Sequence, residues 1–161
     1  KFISSSLEKF QWNTNLTITE SQISMSATER RSRQLTAREG QEIGTTRDMA
    51  GQAPYIINTG IAYSDFNTGW EAGIYYNVQG PTLNMVGFGN RTDTYAVPFN
   101  SLNLNINKTF GADERIRASF GVQNLLNDKR EFIFSSYGAQ DQFFTQLAPG
   151  VRANFSLGFS F

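Results

Sequence analysis

The end of this chain alternates between apolar and small or polar side chains, from Val151 to the last residue, Phe161. Successive side chains of a β-strand point to opposite faces, so the alternation predicts a strand with two different surfaces. One face carries Val151, Ala153, Phe155, Leu157, Phe159 and Phe161, and the other carries Arg152, Asn154, Ser156, Gly158 and Ser160. The apolar face needs either a protein core or lipid. In outer-membrane barrels, lipid meets the apolar face and aromatic residues lie at the membrane boundary.

Composition excludes several classes of function. The chain has no cysteine and no histidine, so disulfides, thiolate chemistry and the commonest metal ligands and general base are absent. Acidic pairs such as Asp113 and Glu114 have no nucleophile beside them, and we therefore expect no enzymatic activity and no cofactor. A formal net charge of zero without a basic stripe gives no support for a nucleic-acid partner.

Membrane location, if it occurs, must depend on strands. No run approaches the roughly 18 to 20 consecutive apolar residues that a spanning helix needs. Fourteen Phe, six Tyr and two Trp, together with 14 Gly, favour a β-rich chain with aromatic belts. The sequence opens at Lys1 without a signal-peptide pattern, so we expect that an exported form has lost its signal or has residues upstream.

Alternation predicts six strands of about ten residues, the length at which a tilted strand crosses a bilayer. Their predicted bounds are 10–19, 55–63, 70–79, 102–110, 116–123 and 151–161. Ile56 is apolar on a polar face and weakens the second strand. Lys108 interrupts an apolar face near a strand end, where its stem could extend toward a polar boundary.

The connections between these strands alternate in length. Residues 64–69 and 111–114 are short turns rich in Gly, Asp and Asn, whereas 24–53, 80–100 and 124–149 are long and predicted as loops. In outer-membrane barrels the short turns are periplasmic and the long loops extracellular. An aromatic belt at the short-turn level is then expected from Phe10, Trp12, Tyr63, Trp70, Phe110, Phe159 and Phe161.

The pattern leaves two questions open: whether the sheet is a soluble sandwich or a barrel wall, and how a barrel would close. A soluble antiparallel sandwich would also bury one face, but exposed strands of soluble proteins usually carry more Lys, Glu and Thr than rows such as Asn103, Asn105 and Asn107. Six strands are also too few for closure, since single-chain barrels begin at about eight. The chain is therefore either the C-terminal piece of a larger barrel or one of several chains that share a barrel.

Three segments resemble the closing strands of TonB-dependent outer-membrane receptors. They are Met49-Ala-Gly-Gln-Ala-Pro-Tyr55 with the strands that follow it, Val97-Pro-Phe-Asn-Ser-Leu-Asn-Leu-Asn-Ile-Asn-Lys108, and Gly121-Val-Gln-Asn-Leu-Leu-Asn-Asp128 with the alternating C-terminus. The similarity covers residues 47–161. The Gly-Gln-Ala-Pro-Tyr element is most similar to the SusC-like branch, which imports carbohydrates and peptides with a surface lipoprotein lid.

The resemblance implies an all-β fold, a transmembrane antiparallel β-barrel of about 22 strands, of which residues 1–161 would form the last six. It implies location in the outer membrane, contact with lipid, and partners in the remaining strands, an N-terminal plug and TonB. The plug is absent from this sequence. Transport of a siderophore, glycan or peptide is the implied function, and a non-transporting barrel that anchors a surface complex is the alternative. It also implies that Phe155, Leu157, Phe159 and Phe161 form the barrel-assembly signal.

The long connections contain candidate contact residues for a ligand or partner protein. Aromatic side chains can stack on sugars or pack on proteins, and packing between loops explains them equally well. The candidates are Phe88, Tyr95, Phe132, Phe134, Tyr137, Phe143 and Phe144. The mixed-charge segment from Glu29 to Asp48 could contact an anion or lipopolysaccharide, but its balance of charge favours a solvated loop.

Overall fold

The computed structural model describes residues 7–111 and 115–160. In this part the chain is predominantly β, with one α-helix and a short 3-10 helix at Leu7–Lys9. The strands are β1 (Phe10–Ile18), β2 (Gln22–Ser24), β3 (Thr46–Asp48), β4 (Tyr55–Asp65), β5 (Trp70–Gln79), β6 (Thr82–Met85), β7 (Thr94–Ala96), β8 (Phe99–Phe110), β9 (Ile116–Gln123), β10 (Arg130–Phe134), β11 (Gln142–Leu147) and β12 (Arg152–Phe159), and the helix is α1 (Ala27–Leu35). Within these residues no helix has the length and apolarity that a membrane-spanning helix requires.

Six strands form one antiparallel sheet in the order β1-β4-β5-β8-β9-β12, which we call the lower sheet. All six strands predicted from alternation are present. β8 begins at Phe99, earlier than predicted, because residues 99–101 pair with the end of β5. The β4–β5 turn ends at Gly69, whose φ is +68° and where a Cβ would lie 2.6 Å from the carbonyl oxygen of Thr109. The 111–114 turn lies partly outside the described residues.

The register of the lower sheet collects the apolar residues of every strand on one face. Trp12 lies opposite Ile61, Ile61 opposite Ile74, and Ile74 opposite Leu104. The same row continues from Leu104 to Val122. On the other face, amides and small residues align in the same manner, as in the pair of Asn58 with Asn77. The face assignments made from the sequence are therefore confirmed across the whole sheet.

The apolar face of the lower sheet is largely uncovered. Trp12 is 73% exposed and Phe155 is 70% exposed, and large apolar side chains on the strands between them are also open. The buried apolar residues of the described part are few, namely Ala53, Val78, Leu83 and Val122. A soluble sandwich requires a second layer over this face. The described residues provide no such layer.

Both edges of the lower sheet are open. Among the described residues β1 pairs only with β4, and β12 pairs only with β9. The sheet therefore does not close on itself. Each outer edge presents backbone N–H and C=O groups that no strand in this part of the chain satisfies.

The long connections are not the irregular loops that the sequence predicted. They contain a second sheet, ordered β11-β10-β7-β6, and a β2–β3 hairpin, which together with α1 we call the upper layer. Each strand of the second sheet directly follows or precedes a strand of the lower sheet in the chain, namely β6 after β5, β7 before β8, β10 after β9 and β11 before β12. The order β6-β7-β10-β11 therefore repeats the order β5-β8-β9-β12 of the lower sheet. The upper sheet is thus a continuation of the same hairpins beyond a break in each strand.

Proline occupies four of these breaks. Pro54 precedes β4, Pro81 separates β5 from β6, Pro98 separates β7 from β8, and Pro149 lies between β11 and β12. These are all the prolines of the chain. Proline has no N–H to donate to a ladder, so each one favours a strand boundary where it stands. The breaks consequently form one level between the lower sheet and the upper layer.

Helix α1 replaces the first part of the loop predicted between Glu29 and Asp48, while the side chains of this segment are mostly exposed. Ser26 caps its N-terminus, where the side-chain oxygen accepts a hydrogen bond from the Glu29 N–H at 3.1 Å. Arg33 donates to both carboxylate oxygens of Asp93 at 2.8 and 3.0 Å, and Arg47 donates to Glu29 at 2.8 Å. The charges of this segment therefore hold the helix against its neighbours.

Tyr75 lies across two glycines on the polar face of the lower sheet. A Cβ at Gly60 would lie 2.4 Å from the ring of Tyr75, and one at Gly73 would lie 2.5 Å from its hydroxyl. The two glycines leave room for the ring to lie along the sheet instead of standing up from it. An aromatic ring that covers strand glycines also supplies the side-chain packing that glycine lacks.

Candidate functional site

Three of the seven predicted aromatic contacts converge on one cleft in the upper layer. Phe88, Phe134 and Phe144 line a cavity of about 670 Å³ together with Met85 and Val86. The rings of Phe134 and Phe144 meet edge to face, with centroids 5.1 Å apart. This arrangement is an apolar surface that a ring or an aliphatic group could contact. A contact role for these three rings stays a prediction.

The other four aromatic candidates are dispersed. Tyr95 lines a cavity of about 250 Å³ beside Leu83, and Tyr137 lines a polar cavity of about 370 Å³ beside Arg33. Phe132 is half-buried within β10, and Phe143 on β11 is 68% exposed. Burial raises the pKa of the Tyr95 phenol, so that side chain stays neutral at physiological pH. The seven residues therefore do not form a single site.

The short-turn end of the lower sheet carries most of the predicted belt. Phe10 packs against Tyr63 with ring centroids 5.0 Å apart. The Lys108 ammonium lies 5.2 Å from the Trp70 ring centroid and 5.5 Å from that of Phe110, and it donates to the Thr68 carbonyl. The cation that interrupts the apolar pattern is thus directed to the turn and held between aromatic faces.

The predicted assembly signal lies on the edge strand β12. Phe155, Leu157 and Phe159 share one exposed face of that strand. Phe161 lies outside the described residues. The three described side chains are exposed, and their role in barrel assembly stays a prediction.

Asn124 closes the top of the lower sheet at the Asn-Leu-Leu-Asn segment. Its backbone φ is +53°, and it is only 6% exposed. Its Nδ2 donates to the carbonyls of Asp128 and Gly150, both at 3.1 Å, and its Oδ1 accepts from the Asp128 N–H at 3.1 Å. Its own N–H donates to the Asn103 side chain at 3.2 Å. Through its backbone and its side chain together, Asn124 thus joins β8, the end of β9 and the segment that leads into β12.

Asp128 completes this turn. Its Oδ2 accepts from the backbone N–H of Asn100 at 2.7 Å and from the Asn100 side chain at 2.9 Å. Asn100 in turn accepts from the Tyr76 hydroxyl at 2.6 Å. Burial alone would raise the pKa of Asp128, but the hydrogen bonds from Asn100 and Lys129 outweigh burial and hold the pKa of this carboxyl below its ordinary value.

Asp128→Asn should therefore destabilise the protein in a pH-dependent way. A depressed folded-state pKa adds stability above the unfolded value, and this stability is lost as the pH falls through the folded value. We expect the difference in unfolding free energy between wild type and variant to be largest near neutral pH and to shrink below about pH 4. Urea unfolding between pH 7 and pH 2.5 measures it. A difference that stayed constant with pH would contradict the inference that the Asp128 carboxylate accepts these hydrogen bonds in its ionised form.

The polar face of the lower sheet has a cleft at its upper end, with a volume of about 550 Å³. Arg130 and Arg152 line it, with the Arg130 guanidinium carbon 4.9 Å from the centroid of Phe99. The rest of its lining is neutral and comprises Tyr75, Ser101, Asn103, Asn105, Gln123, Asn124, Pro149 and Gly150. Lower on the same face Arg117 pairs with Glu71 at 2.5 Å. The described part of this face therefore bears its unpaired charge in the upper cleft.

Sequence reasoning did not find the arginine cleft or helix α1. The helix had a recognisable signal, because Ser26 and Glu29 have the Ser-x-x-Glu spacing of a capping box. The cleft had no recognisable signal in the sequence, since Phe99, Arg130 and Arg152 come from three separate segments that only the folded sheet brings together.

Comparison with protein-family models, curated proteins and solved structures finds no match to this chain.

Proposed function

We propose that this chain is part of the wall of an outer-membrane β-barrel that imports a nutrient with energy delivered through TonB. The observation that carries the proposal is the lower sheet itself, which is open at both edges, apolar and uncovered on one face, and polar on the other. A two-faced sheet of this kind suits a wall between lipid and a water-filled lumen.

The apolar face supports contact with lipid. Its strands are eight to twelve residues long, which is near the length required for a tilted crossing. The Lys108 group between Trp70 and Phe110 lies at the short-turn end, where an interface would place aromatic rings and a cation. In water, by contrast, this much exposed apolar surface would promote association.

The open edges support a larger barrel. Unpaired backbone groups in hydrocarbon cost several kcal/mol each, so β1 and β12 require neighbouring strands there. We propose that these neighbours are the remaining strands of the same protein, as in the TonB-dependent receptors that the sequence resembles. A plug inside the barrel, TonB beneath it and a surface lipoprotein lid are the proposed partners.

Contact of the apolar face with lipid is tested by single cysteines introduced into this cysteine-free chain. The protein is expressed from its complete gene, with any cysteine outside this chain replaced by serine. Probes at Phe120, Ala118 and Leu104 should carry spin labels that are relaxed by oxygen dissolved in acyl chains. Probes at Ser119 and Asn105, which neighbour them in sequence on the other face, serve as matched controls and should respond to a water-soluble relaxation agent. Equal relaxation of both sets by the water-soluble agent would refute the lipid-facing assignment.

The transport step needs a separate test. The same full-length protein should be retained on the immobilised periplasmic domain of TonB, and removal of its segment N-terminal to the barrel should abolish retention. A barrel that inserts normally but never binds TonB would refute energised import. That result would favour the anchoring barrel instead.

A further inference from the structure

The cleft on the polar face between Arg130 and Arg152 has the chemistry of an anion site. No carboxylate lies within salt-bridge distance of either guanidinium in the described residues, and no acidic side chain lines the cleft there. Arg117, the other arginine of β9 and β12 on this face, is already paired with Glu71. The two cleft arginines are therefore the local cations that remain available to a ligand.

Arg130 is also restrained before any ligand arrives. Its guanidinium lies over the Phe99 ring at 4.9 Å, a contact that holds the planar group while leaving its N–H donors free. A restrained guanidinium loses less side-chain entropy when it binds a carboxylate, sulfate or phosphate. The stacking of Arg130 on Phe99 therefore favours recognition of an oxyanion over a purely solvated role.

The neutral residues of the cleft indicate what else a bound solute should carry besides an anionic group. Asn103, Asn105, Gln123 and Ser101 offer amide and hydroxyl groups that can both donate and accept. Such groups suit a solute rich in hydroxyls or amides. The volume of about 550 Å³ falls within the range of small-molecule sites.

We propose that this cleft binds a polar solute through a carboxylate, sulfate or phosphate group, which the guanidinium groups of Arg130 and Arg152 contact. The proposal rests on the proposed function, because the polar face would then line the lumen. It specifies that the imported nutrient carries an anionic group at the point where it passes Arg130 and Arg152.

The test uses the full-length protein in detergent micelles and the fluorescent trisulfonate pyranine as probe. Fluorescence anisotropy should show saturable binding. Methyl glucuronide, glucose 6-sulfate and glucose 6-phosphate should compete to different degrees and so identify the preferred anion, whereas methyl glucoside should not compete. Arg130→Gln with Arg152→Gln should weaken probe binding by roughly tenfold or more. Phe99→Leu should weaken it by roughly two- to fivefold.

Arg30→Gln with Arg31→Gln is the matched control, since both residues are exposed arginines of α1 and the net charge changes equally. Its binding should remain within about twofold of wild type, because long-range charge is screened at physiological salt. Absence of saturable binding, or equal loss in the two double variants, would overturn the proposal. The spin-label test on the same full-length protein in lipid vesicles separates failure of the anion site from failure of the proposed function. Lipid contact of the apolar face without probe binding rejects the anion site alone.

Discussion

Phe120→Arg should lower the free energy of unfolding by about 2 to 4 kcal/mol if the apolar face meets lipid, and by almost nothing if it meets water. Phe120 is 42% exposed and lies near the middle of β9, opposite Phe155. Exposed positions on a soluble protein usually tolerate a charge within about 0.5 kcal/mol. Lipid at the same position would leave the guanidinium in hydrocarbon. The measurement is urea unfolding in lipid vesicles.

Ser119→Arg is the matched control, because Ser119 precedes Phe120 and lies on the polar face. Leu104→Arg and Asn105→Arg form a second pair on β8. In each pair the substitution on the apolar face should be the costly one. Equal costs within a pair would mean that the two faces meet the same solvent.

Asn124→Ala should be the most damaging single substitution in the upper turn, with a loss of about 3 kcal/mol in unfolding free energy. It removes three side-chain hydrogen bonds at a buried position and leaves the carbonyls of Asp128 and Gly150 without that donor. It also places alanine at a φ of +53°, which alanine adopts less readily than asparagine. Chemical unfolding followed by tryptophan fluorescence measures the loss.

Asn127→Ala separates the backbone cost from the hydrogen bonds. Asn127 lies in the same turn with a φ of +51°, but its side chain is exposed. We expect a loss of about 1 kcal/mol, the cost of the left-handed backbone alone. If the two alanine variants were equally unstable, the buried side chain of Asn124 would contribute no stability of its own.

The lower sheet could be predicted because its pattern is local. Apart from exceptions such as Ile56 and Lys108, its strands alternate apolar with small or polar residues over about eight or more positions, and a register slip of one residue would reverse the faces. The alternation therefore places Trp12, Ile74 and Val122 on the apolar face without knowledge of the pairing. The turn residues between strands added the order, since short turns join antiparallel neighbours.

The upper layer could not be predicted in the same way. Its strands are three to six residues long, too short for a periodic signal, and β10 contains an irregularity in its pairing with β11 at Phe132. Its order depends on contacts between distant segments, such as Arg33 with Asp93. A single sequence does not reveal which of several charged residues will pair across sixty positions.

The level of prolines between the two layers makes the protein unusually tolerant of insertion above it. Normally one added residue in a strand shifts every later side chain to the opposite face. Here Pro81, Pro98 and Pro149 stand between the upper strands and the lower ones, at points where the ladder is already interrupted. We therefore expect an added residue in β6, β7 or β11 to leave the register of β5, β8 and β12 unchanged. Segments of foreign sequence could therefore be grafted above Pro81 and Pro98 while the faces of the lower sheet keep their registers.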